Sequence, residues 1–341
     1  MQQKHESTIV DIARALNLSI ATVSRALNNH PKISEATKKK VKEQADAVEY
    51  RRNTLASGLR GSRSNNIGLI IPRVSMYFHA TAITAIQNLL HRHGYNLIIG
   101  QSNDAPEMEK ELASAMFSSR VAGLMVASTF YTTDYTHFDV FIRNDIPLVF
   151  FDRVPVDFYP AQVIRGDDYQ GGFMATAHLA EAGCKTIAHL SGPLSCNLYK
   201  DRYAGYVAAL RQYKLPFKKE WVFFNELTPA NATRIAQQLF ARRPYPQGVF
   251  ASNDTSAITI LEYARAQGIA VPEALRIVGY SNDPRTAIIS PPITTVEQFP
   301  GRVGEEAVTA LLALLKRGPR KREQILTPVI TAVELVKRAS A

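Results

Sequence analysis

The sequence predicts an N-terminal all-α helix-turn-helix head followed by an α/β core of two Rossmann-like subdomains. Three observations predict it: three short, cappable helical segments near the N-terminus, apolar runs alternating with amphipathic segments from Ile67 onward, and an uneven charge. Residues 1–63 hold 12 Lys and Arg against 6 Asp and Glu, while residues 64–341 hold 28 against 24. A basic head on a near-neutral body points to a polyanion as the partner of the head alone. At 341 residues the chain exceeds one ordinary domain.

In the head, Thr8 can cap a first helix, with Asp11 near its positive end, and Ile9, Ile12, Ala13 and Leu16 share one apolar face. Asn17 stands at the turn and tolerates a left-handed backbone. Ser19 can cap a second helix whose inward face is Val23, Ala26 and Leu27, and Ser34 a third with Val41, Ala45 and Val48 inward. The outward face of the second helix carries Ile20, Ala21, Thr22 and Arg25, side chains that suit thymine methyls and guanine edges. Lys38, Lys39, Lys40 and Lys42 either meet phosphates or form the solvated face of a small bundle, and pattern alone allows both.

The body reads as "IGLIIP", "YNLIIG", "GLMVAS", "PLVFFD", "TIAHLSG", "WVFF", "GVFASND" and "RIVGYSND", with helices between, such as Ala80–His93, Glu107–Ser119, Gln170–Ala182 and Thr255–Gln267. About eight strands exceed what one sheet of this kind needs, hence two subdomains. Ligands of such sheets bind beyond the carboxyl ends of the strands. There stand Asp152 and Arg153, Asn253 and Asp254, and Ser281, Asn282 and Asp283. Together they suit the hydroxyls of a sugar, although any one of them is as readily a turn residue or a helix cap.

Other classes fit less well. No apolar run approaches a membrane span, and the polar opening "MQQKHEST" lacks the apolar segment of a secretory signal, so a cytoplasmic location is expected. Cys184 and Cys196 are read as reduced thiols, with a disulfide as the alternative. No G-x-G-x-x-G follows a first strand, no Walker loop or H-E-x-x-H is present, and "HRH" (His91–His93) ends a helix without other ligands. Neither metal nor cofactor is expected. A sugar- or nucleoside-processing enzyme is a remote alternative. A transport-type sugar-binding protein would require a signal peptide and no basic head.

The stretch "IVDIARALNLSIATVSRALNNHPKISEATKKKV" closely resembles the DNA-binding head of the lactose/galactose repressor family, through its "IA", its S-x-A-T-V-S-R-x-L-N core and its I-S-E-x-T. The resemblance implies DNA contacts by Thr8, Ser19, Ile20, Ala21, Thr22, Ser24, Arg25 and Asn28. Asn17 replaces the family's usual glycine. "YRRNTLASGLRGSRSNNIG" is similar to the family's hinge, implying contacts by Asn53, Leu59 and Arg60, with Leu59 wedged into the minor groove beside its dimer mate. Arg52 departs from a common proline, and Gly58 weakens the hinge helix.

"SNNIGLIIP", "KDRYAGYVAAL", "ASND", "PEALRIVGYSNDP" and "SPPITTVEQF" extend the resemblance over nearly the whole chain. They imply a body similar to type I periplasmic binding proteins, with a small-molecule effector in an interdomain cleft. Asp152, Arg202 and Asn253 match effector-contacting positions. Ser281 replaces a sugar-binding aspartate, for which Asp283 is a candidate substitute. Leu227 stands where some members stack an aromatic ring. In "SMYFHA", His79 replaces an aromatic and is read as a ligand contact.

The implied domains are residues 1–50 (head), 51–65 (hinge) and 66–341 (core). Within the core, the N-subdomain spans about 66–164 and 297–325, and the C-subdomain about 165–292 and 326–341. The terminal "ILTPVITAVELVKR" is expected to add a strand to the second subdomain. No leucine-heptad tail follows, so a homodimer on a pseudo-palindromic double-stranded operator is expected.

Overall fold

The computed structural model describes residues 7–27, 29–48, 50, 64–317 and 327–341. The chain divides into two compact units between Ser64 and Asn65.

The first unit holds helices α1 (Ile9–Ala15), α2 (Ile20–Leu27) and α3 (Glu35–Ala47). Thr8 and Asp11 form a reciprocal cap: the Asp11 amide donates to Thr8 Oγ1 at 3.4 Å, and the Thr8 amide donates to Asp11 Oδ2 at 2.8 Å. Asn17 turns the chain with φ 53°. Ser34 Oγ caps α3 by accepting from the Thr37 amide at 3.3 Å. Ile12, Val23 and Val41 meet in a fully buried centre, one from each helix.

The second unit contains two lobes. The first lobe opens with β1 (Asn66–Ile71), α4 (Tyr77–Arg92), β2 (Asn96–Gln101), α5 (Pro106–Ser118) and β3 (Gly123–Val126). It continues with α6 (Asp139–Arg143), β4 (Leu148–Phe151) and β5 (Gln162–Gly166). The second lobe begins with α7 (Asp168–Glu181), β6 (Ile187–Ser191), α8 (Asn197–Gln212), β7 (Val222–Phe224) and α9 (Pro229–Ala241). Next come β8 (Gly248–Ala251), α10 (Asp254–Ala266), β9 (Arg276–Val278) and the short α11 (Arg285–Ile288). The chain ends with β10 (Thr295–Glu297), α12 (Pro300–Arg317), β11 (Val329–Thr331) and β12 (Glu334–Val336).

A six-stranded parallel sheet has the order β11-β5-β4-β3-β1-β2, and a four-stranded parallel sheet the order β7-β6-β8-β9. Strands of this type are buried on both faces and therefore read as unbroken apolar runs. In the first lobe, Leu69, Met125 and Val149 face α4 and α12, while Ile70, Leu124 and Phe150 face α5 and α6. In the second, Leu190, Val249 and Ile277 face α9 and α10, while Ile187, Phe250 and Val278 face α7 and α8.

The C-terminal segment differs from expectation. Val329–Thr331 runs parallel to β5 and so extends the first sheet, with Val329 opposite Ile164. Only β12 turns away, pairing antiparallel with β10. The reason is an open edge: β5 would otherwise lack a partner on one side, and the Asp167 amide continues the ladder by donating to the Thr331 carbonyl at 2.9 Å. Among the described residues, no helix is long and apolar enough to cross a membrane, and no cluster of His, Cys, Asp or Glu is arranged to hold a metal. Both cysteines are buried free thiols.

Candidate functional site

In the head, α2 presents Ile20, 48% exposed, together with exposed Ala21 and Arg25; Thr22 and Ser24 are half-buried. Ser19 Oγ accepts from the Thr22 amide at 3.1 Å and shares a 2.8 Å hydrogen bond with Thr22 Oγ1, so both hydroxyls serve the helix start. Thr8 does the same for α1. Lys39, Lys40 and Lys42 are exposed on α3, whereas Lys38 folds onto Glu35 at 2.6 Å with its side chain 14% exposed. Asn28, Asn53, Leu59 and Arg60 lie outside the described residues.

In the body, the expected polar residues gather at the carboxyl ends of the two sheets. Asp152 follows β4 in a left-handed conformation, φ 58°, which Asp tolerates better than most non-glycine residues. Its Oδ2 faces Nε2 of His79, from the first turns of α4, at 3.3 Å, and His79 Nδ1 lies 3.1 Å from the Arg73 carbonyl. Both ring nitrogens of His79 thus face an oxygen, which fixes the ring between the Arg73 carbonyl and Asp152. His79 is 1% exposed, and its ring packs edge-on against Phe78.

Arg202, on α8, is buried against α7 and the end of β8. Its Nε donates to Asp168 Oδ1 at 2.8 Å, its Nη1 to the Ser252 carbonyl at 2.7 Å, and its Cζ lies 3.6 Å from the centre of the Tyr280 ring. Burial pushes the Asp168 carboxyl up to about 6, against the opposing pull of Arg202. Two glycines make this seat possible. A Cβ on Gly172 would fall 2.2 Å from the Arg202 carbonyl oxygen, and one on Gly205 would fall 2.1 Å from the Tyr169 carbonyl oxygen.

The remaining candidates carry structural duties. Asn253 caps α10, accepting from the Ser256 amide at 2.8 Å while its Nδ2 donates to the Leu227 carbonyl at 2.9 Å. Ser281, at φ 122°, donates its hydroxyl to Gln298 Oε1 at 2.8 Å. Asp283, read as a candidate substitute for a cleft aspartate, is paired with Arg285. Both its oxygens receive the Arg285 guanidinium, at 2.9 and 2.7 Å, and although burial raises its pKa, Arg285 outweighs that and holds it below the usual range. The turn into α11 places Arg285 directly over the carboxylate.

Several residues of the cleft were not singled out by sequence. Asn197 spans the lobes: its Oδ1 accepts from the Val154 amide at 2.9 Å and its Nδ2 donates to the Asp152 carbonyl at 3.1 Å. Ser195 Oγ donates to the Phe130 carbonyl at 2.8 Å, and Tyr131 OH donates to Glu226 at 2.6 Å. Phe130, from the first lobe, packs with Tyr199 and Leu227. The guanidinium of Arg153, itself paired with Asp104, lies 3.6 Å from the centre of the Phe130 ring. The hydroxyls of Ser191 and Ser252, on adjacent strand ends, are fully buried and without a partner among the described residues. "HLSG" and "FASND" hold the only local trace of them.

A helical head with an exposed apolar-and-arginine face, and a two-lobed body with polar strand ends, are what known regulators share. Residues 8–53 match the bacterial regulatory proteins of the lacI family, and residues 176–341 match a periplasmic binding protein-like domain. The ribose operon repressor of Bacillus subtilis (strain 168) is 31% identical over 323 residues, covering 95% of this chain and 96% of the repressor. The chain belongs to the lacI family. This lacI-family protein is a DNA-binding transcription regulator with an effector-binding body. The HTH-type transcriptional repressor PurR of Actinobacillus pleuropneumoniae serotype 5b (strain L20) is 29% identical over 310 residues, 91% of each chain. The lac repressor dimer bound to operator and the anti-inducer ONPF has the same fold, with a TM-score of 0.86 over 98% of this chain and 99% of that one, at 23% identity.

Proposed function

We propose that this regulator is a homodimeric, cytoplasmic repressor of carbohydrate-related genes that binds a sugar or sugar-like effector between the lobes of its body. It works as a binding switch, without catalysis and without a cofactor. The observation that carries the reading is two polar sets, Asp152 with His79 on one lobe, and on the other Arg202 with the Ser191 and Ser252 hydroxyls, which have no partner among the described residues. A polyhydroxylated ring satisfies such a mixture of acceptors and donors, and hydrogen bonds to both lobes couple its binding to their angle.

Each head sets α2 in the major groove of one half-site, with Ile20, Ala21, Thr22 and Arg25 toward the bases and Thr8, Ser19, Ser24 and Asn28 as neighbouring contacts. Asn53, Leu59 and Arg60 form the hinge contacts, with Leu59 wedged into the central minor groove. An effector that alters lobe closure changes DNA affinity, and linkage requires DNA to change effector affinity by the same factor. Fluorescence anisotropy of the full-length protein on its upstream intergenic DNA, with and without a panel of pentoses, hexoses and purines, tests the proposal. At least one sugar should shift the midpoint several-fold, and Asp152→Ala should abolish the shift while DNA binding persists. A shift by purines alone would refute the carbohydrate assignment, and turnover of any panel compound would refute the non-catalytic reading.

A further inference from the structure

Helix α5 opens with three glutamates, Glu107, Glu109 and Glu111, which in sequence look like one solvated face. Glu107 and Glu111 are exposed, but Glu109 is 0% exposed. A carboxyl buried this deeply is costly unless its oxygens are hydrogen-bonded. Both are. Oε2 accepts from the Thr129 amide at 2.9 Å, while Oε1 accepts from the Thr132 hydroxyl at 2.9 Å and faces His137 Nε2 at 3.1 Å. The Thr129 and Thr132 hydroxyls share a further hydrogen bond of 2.7 Å, and the Tyr131 amide donates to Thr129 Oγ1 at 3.2 Å. Glu109 thereby sets residues 129–132, in the loop that follows β3, from inside the first lobe.

That segment reaches the second lobe. The Phe130 carbonyl accepts from Ser195 Oγ at 2.8 Å, the Phe130 ring lies 5.4 Å from that of Tyr199, and the Tyr131 hydroxyl donates to Glu226 at 2.6 Å. These partners come from the loop before α8, from α8 itself and from the loop after β7. Two consecutive residues thus carry three contacts between the lobes, and the threonines that flank them both bond to Glu109. We propose that Glu109 is a positioning residue of the switch, holding Phe130 and Tyr131 where they meet the second lobe. Its consequence for the effector response rests on the cleft reading above, whereas its action on the contacts does not. An apolar side chain of similar size would fill the space but leave the Thr129 amide and the Thr132 hydroxyl without this acceptor, releasing the segment.

Fluorine NMR of the full-length protein carrying 3-fluorotyrosine reads the contact, with the Tyr131 signal assigned by its loss in Tyr131→Phe. Glu226→Ala marks the position of that signal when the bond between the lobes is gone. In Glu109→Leu the signal should move toward that position, and the Thr129 and Tyr131 amides should exchange about tenfold faster or more, with amides in the centre of β1 unchanged. Glu109→Gln keeps an acceptor for the Thr129 amide and a polar partner for the Thr132 hydroxyl, and should retain the parent signal. Thr132→Val deletes one bond to Glu109 at nearly constant volume; it should move the signal the same way, and it decides the matter if Glu109→Leu does not fold. The proposal is overturned if the Tyr131 signal keeps its parent position in either folded variant, or if Glu109→Gln moves it as far as Glu109→Leu. Where a panel sugar shifts operator binding by the parent protein, Glu109→Leu should weaken that shift several-fold, and an equal shift overturns the proposal as well. A parent protein that answers to no panel compound counts against the effector reading alone, because the fluorine signal still decides the role of Glu109.

Discussion

Asn197 of the second lobe grips Asp152 of the first through its backbone, donating Nδ2 to the Asp152 carbonyl at 3.1 Å while its Oδ1 receives the Val154 amide at 2.9 Å. One side chain thus satisfies two main-chain groups across the cleft, at the residue whose carboxylate faces His79. The cleft geometry therefore depends on an amide that itself need not touch a ligand.

Asn197→Ala should remove both bonds and leave a buried amide unsatisfied, loosening lobe closure by about 1–3 kcal/mol. Hydrogen exchange should show the Val154 amide exchanging at least tenfold faster, with amides in the centre of β6 unchanged. Equal exchange in both proteins would contradict the bridging role.

Arg25 extends from the exposed face of α2. Arg25→Ala should cost about 1–3 kcal/mol at one base pair per half-site and relax preference there. Lys40→Ala should instead weaken binding to all sequences alike and lower the salt dependence. A competition assay with single-base operator variants separates the two behaviours.

Asp254 is buried at the start of α10, accepting from the Thr295 hydroxyl at 2.6 Å and the Asp283 amide at 2.8 Å. Burial raises its carboxyl to about 6 from 3.8, outweighing those two bonds. The folded protein then binds the proton more tightly than the unfolded chain, so this stabilisation is complete below about pH 4 and lost as pH rises through 6. Asp254→Asn should flatten the fall in stability between pH 4.5 and 7 by about 1–3 kcal/mol relative to the parent protein. Urea unfolding of both proteins across that range measures the difference.

Gly205→Ala should destabilise the body by about 1–3 kcal/mol or more, because the new Cβ meets backbone rather than a movable side chain. Gly301, in α12, is the contrasting case: a Cβ there finds its nearest neighbour at 4.0 Å. Gly301→Ala should stabilise by about 0.5–1 kcal/mol through helix propensity. Thermal melts of the two variants should move in opposite directions.

Much of the framework was legible because it is local. The Thr8 and Ser34 caps and the Asn17 turn join residues three or four apart, and the strand runs announce themselves by burial on two faces. The cleft was legible only in part. Asp152 and Asn253 follow strand ends as expected, Arg202 lies inside α8, and His79 proves to be the partner of a residue 73 positions away. Asp283 read as an open carboxylate because nothing in "SNDPR" states that the chain turns Arg285 back over it. The destination of Val329–Thr331 was missed for a similar reason: three residues carry too little pattern to name the strand they join.

Sequence by itself determined the head, its exposed face on α2, the alternation of strands and helices, and the placing of polar residues at strand ends. These follow from hydrogen bonds and apolar periodicities contained within a few residues. Only the tertiary structure decided which of those polar groups point at one another and which remain available. That choice depends on how closely distant segments approach, as where Gly172 and Gly205 let α7 and α8 seat Arg202 on Asp168, and where Asn197 draws one lobe onto the other.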